Sequence, residues 1–446
     1  MKKLVALALA AALGISTLLT GCGSSNNSTS QKNSSAKTSE SQSAKQVTLR
    51  FSWWGYDSLH QATLNAIKLF EQKYPNIKIK AEYAGWNGYL DKQTTQIAGG
   101  TAADIMQINW NWIPIFSKDG NGFYDLNKLA DVLHLKENYS DNYLKYGTVN
   151  GKLNAIPVSM TGRVIWFNKT IFDKYNVPIP KTWDDLISSG NKFPNGTYPM
   201  ILGAYDAWLL SETYAVQMTG KPFIDGNGKL VFDENDIKIA LQFYKKLLDN
   251  KVAPGLQMVV NEGGSSNPQI NELPSFLEGK YAGFYQWTAA VAQEADPLKQ
   301  KNMETVLGGI PIESGAKVSG AIFKPTLLFA INKDCKYPKE AATFLNFILN
   351  DPEGVKAMGL ERGTPLSKSA VDALTKAGLL NGLEPEGLKF LYDHPSVPFS
   401  PYFEDPKLQS IYTSTMEQIS YNRLSVDEAA KYMYENVQKT LSEIVK

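Results

Sequence analysis

The sequence predicts an α/β fold in two domains, built on a parallel sheet with helices on its faces. Residues 47–109 alternate strand-period with helix-period segments, an order that favours parallel strands with covered faces. The same style returns at 163–193, and amphipathic helices recur from 233 onward. With 446 residues, the chain is too long for one ordinary core.

Val47, Leu49, Phe51 and Trp53 alternate with Thr48, Arg50, Ser52 and Trp54, the two-residue period of a strand, ended by Gly55. Asp57 is placed to cap a helix in which Leu59, Thr63, Ala66, Ile67, Phe70 and Tyr74 recur at helical spacing, and Pro75 stops it. A second strand carries Ile77, Ile79, Ala81 and Tyr83 on one face and Lys78, Lys80 and Glu82 on the other. A helix from about Gly88 to Ala98 closes on Gly99 and Gly100, and ADIMQIN (103–109) is the third strand. RVIWFNK (163–169) reads as a strand and TWDDLISSGNKF (182–193) as a capped helix. DENDIKIALQFYKKLLD (233–249) puts Ile237, Ala240, Leu241, Tyr244 and Leu248 on one side of a helix. PKEAATFLNFIL (338–349) starts a helix on Pro338, and residues 367–446 are mostly helical in pattern.

Composition is globular, with 43% hydrophobic and 20% charged residues, and 45 Lys and Arg against 44 Asp and Glu. This balance points neither to nucleic acid nor to a disordered solvating chain. Lys2 and Lys3 followed by the apolar stretch Leu4–Leu19 form a secretory signal, residues 1–21. It ends Leu19-Thr20-Gly21-Cys22, which resembles the bacterial lipoprotein signal. By that resemblance Cys22 becomes the first mature residue, carries a diacylglycerol thioether and anchors the protein at the extracellular face of the cell membrane. Residues 22–46 hold no large apolar side chain and read as a flexible tether. With Cys22 lipidated, Cys335 has no intrachain partner and is expected as a surface thiol.

The stretch MQINWNWIP (106–114) places Trp110 and Trp112, costly to leave in water, beside Asn109 and Asn111, costly to bury unpaired. In open α/β sheets ligands sit beyond the carboxyl ends of the strands. There the sequence puts Trp54 after the first strand, Trp86 and Asn87 after the second, and Asn109 to Trp112 after the third. Any one of these tryptophans alone reads equally well as a core residue; three loops delivering them to one edge point to a site. Indole faces pack on the C–H faces of a pyranose, and asparagine both donates to and accepts from its hydroxyls. Asp57, Asp206 and Arg362 offer charge-assisted bonds. GAYDAW (203–208) sets Tyr205 and Trp208 around Asp206, and YQWTAA (285–290) sets Gln286 beside Trp287. In an extended segment Trp110 and Trp112 share one side. Trp110 is expected as a stacking platform, Asn111 as a hydroxyl partner and Trp112 as packing.

A secreted glycoside hydrolase would also line a cleft with these residues, but it needs two carboxylates across the scissile bond. No motif singles out such a pair, and no enzyme is expected. His60, His134 and His394 are unclustered, IAGGTAAD (97–104) lacks the Lys of a phosphate loop, and no GxSxG occurs, so no metal or cofactor is expected. A peptide or polyamine ligand is the other alternative. A cationic ligand calls for more clustered acids than stand near the tryptophans.

Taken in order, several segments resemble the family 1 extracellular solute-binding proteins, the sugar-binding lipoproteins of ABC importers. They are Cys22, FSWWG with FEQKYPNIKI (70–79), IAGGTAADIMQIN (97–109), GKLNAIPVSMTGRVIWFNK (151–169), PKTWDDL (180–186), FLEGKYAGFYQW (276–287), FAINKDCKYPKEAATFLNFIL (329–349) and RGTPLSKSA (362–370). The resemblance implies two α/β lobes with ligand in a cleft between them. The N-terminal lobe would take 47–158 and 289–333, and the C-terminal lobe 159–288 and 334–446. Crossings would fall near 156–162, 285–292 and 330–336. It also implies a monomer that serves two permease subunits and a cytoplasmic ATPase. Trp54, Trp86, Asn87, Trp110, Asn111, Trp208, Trp287 and Arg362 fit the family's cleft by position. All nine tryptophans precede residue 288, a richness that suggests an oligosaccharide and, from the aromatic content alone, a neutral one of plant or host origin.

Overall fold

The computed structural model describes residues 46–445. The expected signal (1–21), the lipidation site Cys22 and the tether up to residue 45 lie outside the described residues. Strand β1 (Val47–Trp54) pairs in parallel with β2 (Ile77–Ala84) and β3 (Ile105–Ile108). The intervening helices, Asp57–Lys73 and Tyr89–Ala98, fall where the periodicity puts them. Asp57 does not cap its helix. Tyr56 holds the cap position, and Asp57 opens the first turn, where its charge suits the helix N-terminus.

The short β4 (Thr148–Val149) and β5 (Lys152–Leu153) form a hairpin closed by Asn150-Gly151, with φ of 49° and 76°. A two-residue hairpin turn requires these left-handed values. Strand β6 (Ile156–Asn168) is 13 residues long and buried throughout. β7 (Gly283–Trp287), β8 (Thr305–Gly309) and β9 (Phe323–Ile331) complete the strands. The main sheet runs β2-β1-β3-β9-β6-β7, with β8 also against β6. Only β1 to β3 are mutually parallel. The expected parallel sheet is mixed because β9 returns from the second lobe and runs antiparallel to both β3 and β6.

β6 joins the lobes. Ile156–Gly162 pairs with β9, while Arg163–Asn168 is flanked by β7 and β8. Gly162 sits where the partner changes. A Cβ there would lie 2.5 Å from the Ile322 carbonyl oxygen and 2.5 Å from Leu391.

The first lobe packs both faces of its sheet. Leu327, Phe329 and Ile331 of β9 enter one core, and Leu328 and Ala330 enter the other, as the strand period requires. Phe51 meets Phe329 and Phe344 edge-on at 5.5 and 5.3 Å. The second lobe has its own larger core, which includes Trp166, Trp183, Trp208, Tyr285 and Tyr412. Capping boxes start three helices, at Thr182, Asp233 and Ser425.

This packing departs from the expected partition. Val291, Ala295, Leu298, Ile310 and Ile322, expected in the first lobe, pack in the second core. The chain therefore does not cross at 285–292. The helix Pro338–Asn350, expected in the second lobe, buries Phe344, Leu345 and Phe347 in the first. Once β9 has re-entered the first sheet, the next helix covers that sheet's exposed face. The chain joins the second core again only at the helix Leu383–Asp393. Cys335 is half-buried against the first core rather than exposed, and burial pushes its thiol up to about 12.

Phe344→Ala tests the membership of this helix. Emptying a buried aromatic site should lower the unfolding free energy by about 3–5 kcal/mol. Urea unfolding followed by fluorescence measures the change; a loss under about 1 kcal/mol would place Phe344 outside the core.

Candidate functional site

The carboxyl ends of β1, β2 and β3 do bring three tryptophans together. Trp54 lies 5.2 Å from Trp86 and 5.1 Å from Trp112, ring centre to ring centre, and Trp86 stacks on Trp112 at 5.7 Å. Tyr89 backs Trp54 at 5.4 Å. Trp112 is buried in this cluster, whereas Trp86 is 50% exposed and presents a free face.

Beside the cluster a cavity of about 400 Å³ separates the lobes. That volume falls within the usual range for small-molecule sites, roughly 300–1,000 Å³. Trp54, Trp86, Gln107 and Arg362 line it from the first lobe, Trp287 and Gln293 from the second, and Lys324 and Thr326 from β9. A space of about 1270 Å³ adjoins it past Trp86, and one of about 1240 Å³ adjoins it past Tyr56. The central cavity shares Tyr56, Ala289, Ala290, Gln293 and Glu361 with the space past Tyr56 and only Trp86 with the space past Trp86, and the three adjoining spaces are taken together as the groove.

Three buried cations underlie the cavity. Arg163 Nη2 donates to Asp206 Oδ1 at 2.6 Å, and its guanidinium lies 5.3 Å from the Trp287 ring. Lys324 pairs with Glu404, and its Nζ lies 4.4 Å from the same ring. Burial pulls the Lys324 pKa down, and Glu404 opposes that shift. Arg362 donates through Nε to Gln107 Oε1 at 3.0 Å and through Nη1 to Thr63 Oγ1 at 2.9 Å, while Nη2 has no protein acceptor. No carboxylate bonds to this guanidinium among the described residues, and burial lowers its pKa. Glu361 acts on this guanidinium only through space, so the buried charge is partly offset and still raises the local potential felt by a ligand.

The sequence-derived candidates divide. Trp54, Trp86, Trp287 and Arg362 line the central cavity, and Asn87, Asn109 and Asn111 line the space past Trp86. Asp57, Trp110, Tyr205, Asp206, Trp208 and Gln286 line none of the three spaces. Asp57 is exposed at its helix start. Trp110 is 4% exposed and packs between Tyr146 and Phe399 at 6.0 and 6.3 Å, so it is no open platform. The reason is local: Trp110–Trp112 is a 3₁₀ turn, not an extended segment. With three residues per turn the two indoles leave the backbone about 120° apart. Asn109 caps that turn by accepting from the Trp110 amide at 3.0 Å. Trp208 is fully buried against Tyr412 at 5.4 Å, because Ala204–Thr219 is a helix enclosed by the second core. Asp206 is committed to Arg163, and the Tyr205 hydroxyl is buried. Gln286 spends its amide on Glu294 and its oxygen on the Trp287 amide, both at 2.9 Å.

Sequence reasoning missed Tyr56, Gln107, Gln293, Lys324 and Glu361 in the cavity wall. Two of these carried a signal. Gln107 is the one polar residue in the strand IMQI, and Lys324 is the one charged residue in the strand FKPTLLFAI.

The fold has counterparts in known proteins. Residues 56–355 match the pattern of the bacterial extracellular solute-binding proteins. A periplasmic oligogalacturonide-binding protein from Yersinia enterocolitica, solved with saturated digalacturonic acid, is 39% identical with a TM-score of 0.84, covering 90% of this chain and 100% of that one. An uncharacterized ABC transporter extracellular-binding protein of Pyrococcus horikoshii is 26% identical over 372 residues, 80% of each chain. The arabinooligosaccharide-binding protein of Bacillus subtilis is 26% identical over 373 residues, 80% of this chain and 79% of its own. The chain belongs to the bacterial extracellular solute-binding proteins, a family that acts as binding components of ABC importers outside the cytoplasm.

Glu212, buried in the helix Ala204–Thr219, yields a stability prediction. Burial raises its pKa to about 8. Below the ordinary glutamate value both folded and unfolded chains are protonated and no penalty arises. As pH rises toward 8 only the unfolded chain ionises, so folded stability falls, and above that it is constant. Glu212→Gln should therefore be more stable than the parent by roughly 1–3 kcal/mol at pH 8. The gain should vanish toward pH 4.5, as paired urea melts at the two pH values would show.

Proposed function

We propose that this protein captures a short oligosaccharide with an acidic sugar in the central cavity and passes it, as a monomer, to the permease subunits of an ABC importer. The observation that carries this reading is the cavity wall itself. Aromatic rings at Trp54, Trp86 and Trp287 supply stacking faces, and Arg362 adds a buried positive charge to which no carboxylate hydrogen-bonds among the described residues, Glu361 acting on it only through space. A carboxylated sugar supplies that counter-charge, and its C–H faces pack on the indoles. The relative at 39% identity is bound to digalacturonic acid, which has this chemistry. The arabinooligosaccharide-binding relative is more distant at 26%.

The same wall weighs against hydrolysis. Glu361 is the one carboxylate among the residues that line the central cavity, and glycosidases use a pair. A peptide amine or a polyamine would face Lys324 and Arg362 across a low-dielectric space, an unfavourable pairing. The proposal includes a lipid anchor at Cys22 that keeps the binding unit at the outer face of the cell membrane.

Thermal melts with and without sugar test the ligand class. Digalacturonate at a hundred times its Kd should stabilise the protein by about 2.7 kcal/mol, and uncharged disaccharides at the same concentration should not. Stabilisation by the neutral sugars alone would remove the acidic reading. Trp86→Ala should weaken digalacturonate binding by about tenfold or more, with the apo unfolding free energy shifted by less than about 1 kcal/mol because half the ring is already in water. Cys22→Ala should move the protein from the membrane to the soluble fraction; retention in the membrane would contradict the anchor.

A further inference from the structure

The groove changes sign on leaving the central cavity. Past Tyr56 its wall carries four carboxylates, Asp296, Glu304, Glu361 and Glu384, against Lys299. Past Trp86 it carries Asp91, Asp405, Glu417 and Glu443, besides Glu404 whose charge is paired with Lys324, against Lys118 and Lys407. Glu361 marks the first boundary. It lines both the central cavity and the space past Tyr56, it accepts from Ser58 Oγ at 2.8 Å, and it directly precedes Arg362. Asp296 is exposed on the opposite wall of the space past Tyr56 and lines only that space.

Resting on the acidic-sugar reading above, we propose that Glu361 and Asp296 are specificity-determining residues that limit how many consecutive acidic units the groove accepts. One or two uronates fit the central cavity, where Arg362 is the buried cation with no carboxylate bonded to it. A further uronate on the Tyr56 side enters a space whose walls already carry excess negative charge, and sliding the chain the other way meets the carboxylates past Trp86. Like charges a few ångströms apart in a partly enclosed groove repel appreciably, and salt screens the effect. Binding therefore favours short acidic oligosaccharides over long ones, although the groove has room for more units on both sides.

Titration calorimetry with di-, tri- and tetragalacturonate tests this, with apo melting curves confirming that each variant is folded. At low salt the tetramer should bind about tenfold more weakly than the dimer. Asp296→Asn and Glu361→Gln should each narrow that ratio. Raising salt to about 1 M, where the screening length is about 3 Å, should narrow it too. A parent protein that binds tetramer as tightly as dimer overturns the inference, as does a ratio untouched by both substitutions and by salt. Failure of the dimer to bind while a neutral oligosaccharide binds overturns it together with the reading it rests on.

Discussion

Everything else in the structure hangs on strand β6. All thirteen of its residues are buried, and it is hydrogen-bonded first to β9 and then to β7 and β8. Buried backbone groups must stay paired, so the lobes cannot part along this strand without opening the ladder. They can only bend about it. Thr161, Lys324 and Thr326 lie on β6 and β9 and form the floor of the cavity. The aromatic rings rise from the lobes on either side of that floor. The bulk limit at Gly162, with a carbonyl oxygen and a leucine methyl in the place a Cβ would take, keeps the change of partner tight. The cavity thus has a rigid base and walls that belong to separately packed cores.

The floor also fixes the electrostatics. Arg163, Lys324 and Arg362 are all buried, but they are not equivalent. Asp206 and Glu404 neutralise the first two, which leaves them to hold the Trp287 ring by cation–π contact. Arg362 is hydrogen-bonded only by neutral acceptors, Gln107 and Thr63, with Glu361 acting on it through space. A buried cation without a directly paired carboxylate is costly, and the anionic ligand proposed above would relieve that cost. Stacking on tryptophan contributes affinity with little regard to the sugar's charge. In the acidic-sugar proposal the guanidinium supplies the discrimination.

Local pattern made β1 to β3, their helices and most of the later helices legible, because amphipathic period and capping residues act over a few neighbours. Lobe membership was not legible in the same way. It depends on where β9 inserts, a contact between residues near 105 and near 330 that no window of sequence contains. The site was legible where aromatic residues ended strands, as at Trp54, Trp86 and Trp287. It was misread at GAYDAW, where Tyr205 and Trp208 stand three apart on a helix and both turn inward. The apolar residues of that helix surround it on every side, which marks a buried helix rather than a binding loop. Arg362 was named for its charge and supported by family position, and Lys324 was missed, since burial of a charge is a property of the fold.

The stretch MQINWNWIP shows how local geometry decides roles that composition leaves open. As a strand it would have presented both indoles to one side. Asn109 instead turns the backbone by accepting the Trp110 amide, and the chain enters a 3₁₀ turn. Trp110 is then sent toward Phe399 of the 395–406 loop, and Trp112 toward Trp54 and Trp86. Asn111 lies between them and donates to the Glu404 carbonyl at 3.5 Å, on the residue whose carboxylate holds Lys324. The tryptophans and asparagines stand side by side because this turn joins two surfaces. Trp112 braces Trp86 from behind, Trp110 packs between Tyr146 and Phe399, and Asn111 ties the first lobe to the loop that anchors the cation under Trp287. The motif builds the site without itself being the stacking face.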